Sequence, residues 1–571
     1  MISAIGGRAA AQLKRAVRQP ALWLWAAPLL FLGYFFFYPL ISILGMAGQA
    51  ALGGSLKIDF WGEMWPALVF TVWQAALSTL LTLVVGLPAA FLFACFHFPG
   101  KSLLRVATTL PFILPTVVAA AGFNALLGPR GWLNLLLMAV FHLDSAPVQI
   151  LNTLGAILLA HVFYNTTIVI RVTGSAWAQL DPRLEQAGRA LGASVWRNFR
   201  EVTLPLLKPS IIAATLLVFL FDFTSFGVIL LMGGPKFSTL EVEIYLQTMQ
   251  MLNLPAAGIL SALQLAITLG LGWLSSRLGG VRDIPLLPRL KGEGMRPAHS
   301  WGEKVFVGGM SLVLALLLAL PLLSLAGRSV TRLDADRGQR GAIDSGLTLD
   351  YYGALFVNSN QSIFYVPPVD AARNSLGYAL TAVAFAMTLG TLASFALNHK
   401  GRANRFLGLL LMLPIGVSAV TLGLGFLVTF TGPPVDVRSF PLLVPIAHSL
   451  VALPFVVRIL QPALASIPNQ LRQAAAVLGA PPWRVWLEVD LPVVGRAMLV
   501  AGIFAFTISL GEFGATSFLA RPETPTLPIA IYRYLSLPGA LNYGQALAMA
   551  TILMLICGVC IFVMERISLT E

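Results

Sequence analysis

The sequence is short of charge. Of its 571 residues only 11% are Asp, Glu, Lys or Arg, against 57% hydrophobic; soluble domains carry about 25% charged residues. With a mean hydropathy of +0.82, this excludes an ordinary soluble domain and points to an integral membrane protein. Cysteine is scarce as well. Cys95 lies in an apolar run, and Cys557 and Cys560 form a C-x-x-C spacing inside the last one. That spacing can serve redox or metal chemistry. Here the neighbours are Ile, Val and Phe, with no other ligand type, so the pair reads as small residues in a membrane helix. The six histidines and 24 carboxylates show no metal-type or triad-type spacing, which argues against a membrane-embedded enzyme. A P-loop is also missing. It requires G-x-x-x-x-G-K-[ST]. Gly100-Lys101-Ser102 supplies the tail, but Cys95 stands where the first Gly belongs and no strand precedes it. The net charge is +13, yet the basic residues fall between apolar runs and form no stripe. They read as topology signals and contacts with anionic headgroups rather than as a nucleic-acid surface.

What the chain has in quantity is apolar sequence. A helix needs about 20 residues to cross a bilayer core about 30 Å thick. Runs near 22–45, 67–95, 107–127, 151–177, 210–232 and 256–276 qualify, as do runs near 305–326, 372–396, 407–430, 441–465, 497–519 and 544–565. The expectation is six spans in each half. Gly131 to Phe141 is too short to span and is expected to be interfacial or re-entrant. The first run, with its basic flank, mimics a signal peptide. Its apolar stretch exceeds the usual length of about 7–15 residues, so it is kept as the first span. Arg8, Lys14, Arg15 and Arg18 precede it; Lys101 and Arg105, then Arg183, Arg189, Arg197, Arg200 and Lys208, occupy later loops. Arg277, Arg282, Arg289, Lys291, Arg296 and Lys304 follow the sixth span, with Lys400, Arg402, Arg405, Arg472, Arg484 and Arg496 beyond. All these fall on one side if both termini are cytoplasmic. The 327–370 loop then lies outside. Its Arg328, Arg332, Arg337 and Arg340 are offset by Asp334, Asp336, Asp344, Asp350 and Asp370.

The polar stretches inside the oily halves are copies of one another. Sliding the chain by 287 residues lays Gln186, Ala187, Leu191, Gly192, Ala193, Trp196, Arg197, Glu201, Val202, Leu204 and Pro205 onto identical residue types between Gln473 and Pro492. Ala160-His161 meets Ala447-His448, Arg171 meets Arg458, and Phe226-Gly227 meets Phe513-Gly514. Six is an even number, so the halves are parallel repeats about an axis along the membrane normal. The division expected is 1–285 for the first repeat, 286–303 for a cytoplasmic linker and 304–571 for the second. Each copied loop reads as a short helix, a turn at Gly192 or Gly479, and a second short helix stopped at Leu204-Pro205 or Leu491-Pro492. Small residues allow close approach of another backbone, and Trp196 and Trp483 are anchors of the kind that dominate protein contacts.

These loops resemble the Glu-Ala-Ala loop of permease subunits of ATP-binding-cassette importers. That pattern has Gly, nine intervening residues, an aliphatic, one residue and then Leu-Pro. Gly192 with Val202 and Leu204-Pro205, and Gly479 with Val489 and Leu491-Pro492, both match. The position of the family's Glu holds Gln186 and Gln473; Glu185 stands one residue early in the first half and Arg472 in the second. The resemblance covers nearly the whole chain. It implies an all-α integral membrane protein of about twelve transmembrane helices in two parallel six-helix repeats, in a bacterial-type plasma membrane. It implies a transport subunit and not an enzyme. Gln186, Ala187, Gly188, Leu191, Gly192, Ala193 and Trp196, with Gln473, Ala474, Ala475, Leu478, Gly479, Ala480 and Trp483, would dock two copies of a separate ATPase. ATP and Mg would sit on that partner, with no cofactor on this chain, and an extracytoplasmic solute-binding protein would deliver a small solute. The fused double length resembles ferric-iron-type and thiamine-type permeases. Ile157 to Asn165 and Gly233-Gly234-Pro235 are close to the thiamine-type pattern, while Glu512 to Thr516 is similar to oxyanion and ferric-ion permeases. The rival class is a twelve-span secondary transporter driven by an ion gradient.

An ionisable residue inside a span costs about 2.5–3.5 kcal/mol on insertion scales, so it marks a functional position. Asp222 and Glu512 lie in the fifth span of their halves without being equivalent: Asp222 matches Ser509, and Ser225 matches Glu512. These four, with Tyr164 and Asn165, are candidates for the substrate path. His161 and His448, being repeated, are expected to be structural.

Overall fold

The computed structural model describes residues 20–53, 60–278, 295–332, 346–357, 367–399, 401–432, 435–436 and 440–569. Arg8, Lys14, Arg15, Arg18, Arg282, Arg289, Lys291 and Lys400, the 286–294 part of the expected linker, and Asp334, Asp336, Arg337, Arg340 and Asp344 lie outside them. The described residues form an all-α protein whose strands are two-residue pairs. Among the described residues ten helices are long and apolar enough to cross a membrane, or up to twelve if each of two bent pairs is one span.

In chain order the first half comprises α1 (20–52), α2 (Phe60–Cys95), α3 (Lys101–Ile113), α4 (Thr116–Leu127), α5 (Trp132–Phe141), α6 (Leu154–Ala178), α7 (Pro182–Ala190), α8 (Val195–Phe223), α9 (Gly227–Met232), α10 (Leu240–Met249) and α11 (Leu254–Leu278). The second comprises α12 (Trp301–Ser329), α13 (Pro368–Leu397), α14 (Arg402–Met412), α15 (Ala419–Thr429), α16 (Leu443–Ala465), α17 (Asn469–Val477), α18 (Trp483–Gly511), α19 (Thr516–Leu519), α20 (Leu527–Ser536) and α21 (Ala540–Leu569).

Two features differ from the sequence expectation. The third apolar run of each half is a bent pair, turning by 114° between α3 and α4 and by 97° before α15. At the first bend Leu114 is extended, as a residue before proline must be. At the second, Val417 is extended and Ser418 caps α15 by accepting from the Thr421 N–H. The Leu-Pro pairs, moreover, do not stop the second loop helix. It runs on into the fifth span, so that α8 and α18 are each continuous over 29 residues. A proline inside a helix removes one bond and collides with the carbonyl four residues back. Here a π turn precedes it, at Phe199–Thr203 and again at Trp486–Asp490, closed by bonds from Leu204 N–H to Phe199 O and from Leu491 N–H to Trp486 O. The wider turn makes room for the ring.

The chain folds as two compact units. One contains residues 1–52, 362–529 and 559–571; the other contains 53–361 and 530–558. The opening helix of each half therefore belongs to the unit built on the other half. Within one unit Pro39 of α1 lies against Gly425 of α15, where an added Cβ would come within 3.0 Å of the proline Cβ. Within the other, Pro321 of α12 lies against Gly122 of α4, with the same 3.0 Å limit to the proline carbonyl. The second and fourth spans also meet at a glycine in both: a Cβ on Gly86 would lie 2.6 Å from Val169, and one on Gly390 2.6 Å from Val456. Small residues let membrane helices approach closely where lipid offers no hydrophobic drive.

Candidate functional site

Helix α7 is built to be short. The Asp181 side chain accepts from the Arg183 N–H as its cap, and Pro182 fills the first position, where a missing N–H costs nothing. Glu185 in the first turn and Arg189 in the last complement the helix dipole. Gly192 ends it at φ +84. The Gly192 N–H bonds Arg189 O at 2.9 Å and the Ala193 N–H bonds Gly188 O at 3.0 Å, the paired closure of a Schellman motif. The second copy repeats this: Gly479 has φ +81, with bonds of 3.0 Å from Gly479 to Ala476 and from Ala480 to Ala475.

Gln186, Ala187, Leu191 and Gly192 are exposed and Gly188 and Ala193 half-buried, and their second-half counterparts follow suit. Large apolar side chains stand in the open on both hairpins. Leu191 is 89% exposed and Trp196 70%, against 86% for Leu478 and 64% for Trp483. Exposed apolar groups thus recur at the same places on both polar hairpins. The first hairpin also borders a cleft of about 930 Å3, lined by Gln186, Arg189 and Trp196 together with Phe91, Trp177 and Phe306.

Each hairpin is braced from within, by contacts that sequence reading did not anticipate. Glu185 Oε1 accepts from the Thr203 hydroxyl at 3.0 Å. At the equivalent positions Arg472 Nε donates to Asp490 Oδ1 at 2.7 Å. A contact between the short helix and the π turn is thus kept while its chemistry changes from hydrogen bond to ion pair. The joint change of both positions under the 287-residue shift is the signal that could have revealed it. Arg197–Glu201 and Arg484–Glu488 are repeated too, but such exposed pairs contribute little.

Asn198 adds a brace found only in the first half. It is buried, and its Nδ2 donates to Glu185 O at 3.0 Å. A Cβ on Gly188 would collide with Asn198 Oδ1. The second half has Ala475 and Val485 at these positions. Gly188→Ala alone is therefore expected to lower hairpin stability, despite a propensity gain of about 0.5–1 kcal/mol. Adding Asn198→Val should recover it. Proteolysis rates at the loop measure both.

Two polar centres lie at the far ends of α8 and α18. In the first, His161 of α6 is buried. Its Nδ1 is 2.9 Å from Ser78 Oγ and 3.3 Å from Asp222 Oδ1, and its Nε2 is 2.9 Å from Ser225 Oγ. Asp222 also accepts from Asn165 Nδ2 at 2.7 Å, while its backbone carbonyl accepts from Gln74 at 2.9 Å. In the second, His448 Nδ1 is 2.7 Å from Ser509 Oγ, and Nε2 is 2.8 Å from Thr516 Oγ1 and 3.3 Å from Glu512 Oε2. Glu512 accepts the Ala515 and Thr516 N–H groups at 2.8 and 3.0 Å. The structure brings Asp222, Ser225 and Asn165 together in one centre and Ser509 and Glu512 in the other. Tyr164 stands apart, its hydroxyl donating to Pro115 O at 3.1 Å. Among the repeated arginines, Arg171 donates to Thr109 at 2.8 Å.

Comparison with known proteins adds to this geometry. The model of the family described as "Binding-protein-dependent transport system inner membrane component" matches twice, at residues 83–280 and 386–568. The chain is 28% identical over 542 residues to the thiamine transport system permease protein ThiP of Brucella abortus (strain 2308), covering 92% of each chain. It is 27% identical over 546 residues to the protein of that name from Escherichia coli (strain K12), covering 92% of this chain and 95% of the other. A solved bacterial alginate ABC transporter, in complex with an alginate pentasaccharide-bound periplasmic protein, shares 18% identity over 47% of this chain and 96% of its own, with a TM-score of 0.39.

Proposed function

The chain belongs to the family of binding-protein-dependent transport system inner membrane components, and on that premise we propose that it is the translocation subunit of an ABC importer, powered by a separate ATPase. The two hairpins carry this reading. Each offers a glycine-closed turn and exposed Leu and Trp side chains, and two such handles on one chain suit two ATPase copies. ATP and its Mg bind the partner. The loops that bear the handles are cytoplasmic in this reading, as are both termini, and an extracytoplasmic binding protein presents the solute on the other face. ATP-driven closure of the ATPase pair draws the hairpins together and switches access from one face to the other. The substrate class is thiamine or a related small solute such as ferric iron. The full-length similarity to proteins named as thiamine permeases supports the first.

Family membership disfavours the ion-driven secondary transporter. Proteoliposomes holding the chain, its ATPase and its binding protein should take up labelled thiamine when ATP is supplied inside, and not on an ion gradient alone. Accumulation from a proton or sodium gradient without ATP would overturn the reading. Uptake of ferric iron in place of thiamine would reassign the substrate.

A further inference from the structure

The two buried histidines face the same kinds of partner in opposite order. In the first half the carboxylate, Asp222, shares the Nδ1 side with the nearer Ser78 hydroxyl, and the Ser225 hydroxyl takes the Nε2 side. In the second the Ser509 hydroxyl takes the Nδ1 side, and the carboxylate, Glu512, shares the Nε2 side with the nearer Thr516 hydroxyl. The repeat makes Asp222 equivalent to Ser509 and Ser225 equivalent to Glu512. What the halves share is therefore the set: one histidine, one carboxylate and two hydroxyls, with the carboxylate and one hydroxyl at one ring nitrogen and the second hydroxyl at the other. The ring nitrogen that the carboxylate faces is exchanged between the halves.

Placement gives the set its meaning. Asp222 is the penultimate residue of α8 and Ser225 lies in the break before α9; Ser509 lies near the end of α18 and Glu512 in the break before α19. Both histidines sit on the fourth span, α6 or α16. His161, Asp222, His448, Ser509 and Glu512 are all under one-tenth exposed, and each carboxylate is engaged by several protein groups. A polar group kept so deep in a membrane protein must be satisfied by its neighbours, and both carboxylates have such neighbours.

We propose that His161 and His448 are positioning residues that anchor the far ends of the two hairpin-bearing helices to the fourth spans, each through hydroxyls and one carboxylate that can stand at either ring nitrogen. The anchor rests on the importer reading for its use, since it converts movement of a hairpin into movement at the distal break. Asp222 and Glu512 then serve the helix end and do not bind the solute.

The test moves the carboxylate. Asp222→Ser removes it, and Asp222→Ser with Ser225→Glu places it where the second half has it. In reconstituted transporter, Asp222→Ser is expected to lower uptake by about tenfold or more, with ATP hydrolysis persisting uncoupled, and the double variant to recover to within about threefold with an unchanged KM for the solute. A double variant as defective as the single one, or one with a shifted KM, would overturn the proposal in favour of a solute ligand. Hydrogen exchange at residues 223–227 of the purified chain reads the anchor without transport. Exchange should quicken by about tenfold in Asp222→Ser and return in the double variant. Unchanged exchange in the single variant would also sink it. Failure of wild-type uptake with the exchange pattern intact would remove the importer reading and leave the anchor standing.

Discussion

In Gly192→Val and Gly479→Val variants, ATP-driven uptake is expected to fall by at least about tenfold, the equivalent of about 1.4 kcal/mol, while the chain inserts and purifies in normal amount. Space is not the reason. A Cβ at either glycine meets nothing within 4 Å. The backbone is: φ of +84 and +81 lies in the left-handed region, which costs an L-residue about 1–2 kcal/mol and a β-branched one more. Valine pulls the residue back toward negative φ. The bonds from Ala193 to Gly188 and from Ala480 to Ala475 then break, and the exposed Leu191 and Trp196, or Leu478 and Trp483, lose their mutual placement. The core is untouched, so yield should hold. Asparagine tolerates the left-handed region, so Gly192→Asn should keep most of the uptake. Co-purification of the ATPase measures docking directly. Full uptake by the valine variants would show that the turn does not set the docking geometry.

Arg472→Ala is expected to have the second largest effect. It leaves the nearly buried Asp490 carboxylate without its cation. Removing one member of a buried pair costs about 3–5 kcal/mol; Arg472 is itself partly solvated, so about 1–3 kcal/mol is expected here. Helix α17 should detach from its π turn, and coupled uptake should drop severalfold in step. The first half prescribes the cure. Arg472→Glu with Asp490→Thr recreates the Glu185–Thr203 contact and should restore both thermal stability and uptake, whereas Arg472→Glu alone sets two carboxylates against each other and should be worse than alanine. Equal behaviour of the single and double variants in melting and transport assays would refute the brace.

Much of this was legible in the sequence because the chain is written twice. A single Gly192 is an ordinary loop glycine; Gly192 and Gly479 at one spacing define a turn, and both turns have the same left-handed backbone. Membrane helices were legible from apolar length alone. Their continuity was not. Proline at 205 and 492 signals a helix end, and only the π turns before them let the helix pass. The bends of the third spans leave no mark on hydropathy, because Leu114 and Val417 are apolar residues within apolar runs; their signals are Pro115 and the Ser418 cap, which a reading by apolar length does not weigh. Asp222 and Glu512 were visible as charges out of place, but their shared histidine partner required the fold.

The lodging of each opening helix in the other half's unit bears on biogenesis. Helix α1 is synthesised long before α13, α15 and α16 exist, so its Pro39 must wait in lipid for Gly425. The unit built on the first half is in turn incomplete until α12 brings Pro321 to Gly122, and it gains its last segment only when residues 530–558 are made. Neither half can finish folding before the other is translated. Cutting the gene at the repeat boundary would give two fragments that reach the native state only together. Fusion removes that search for a partner, since the missing helix is always on the same chain.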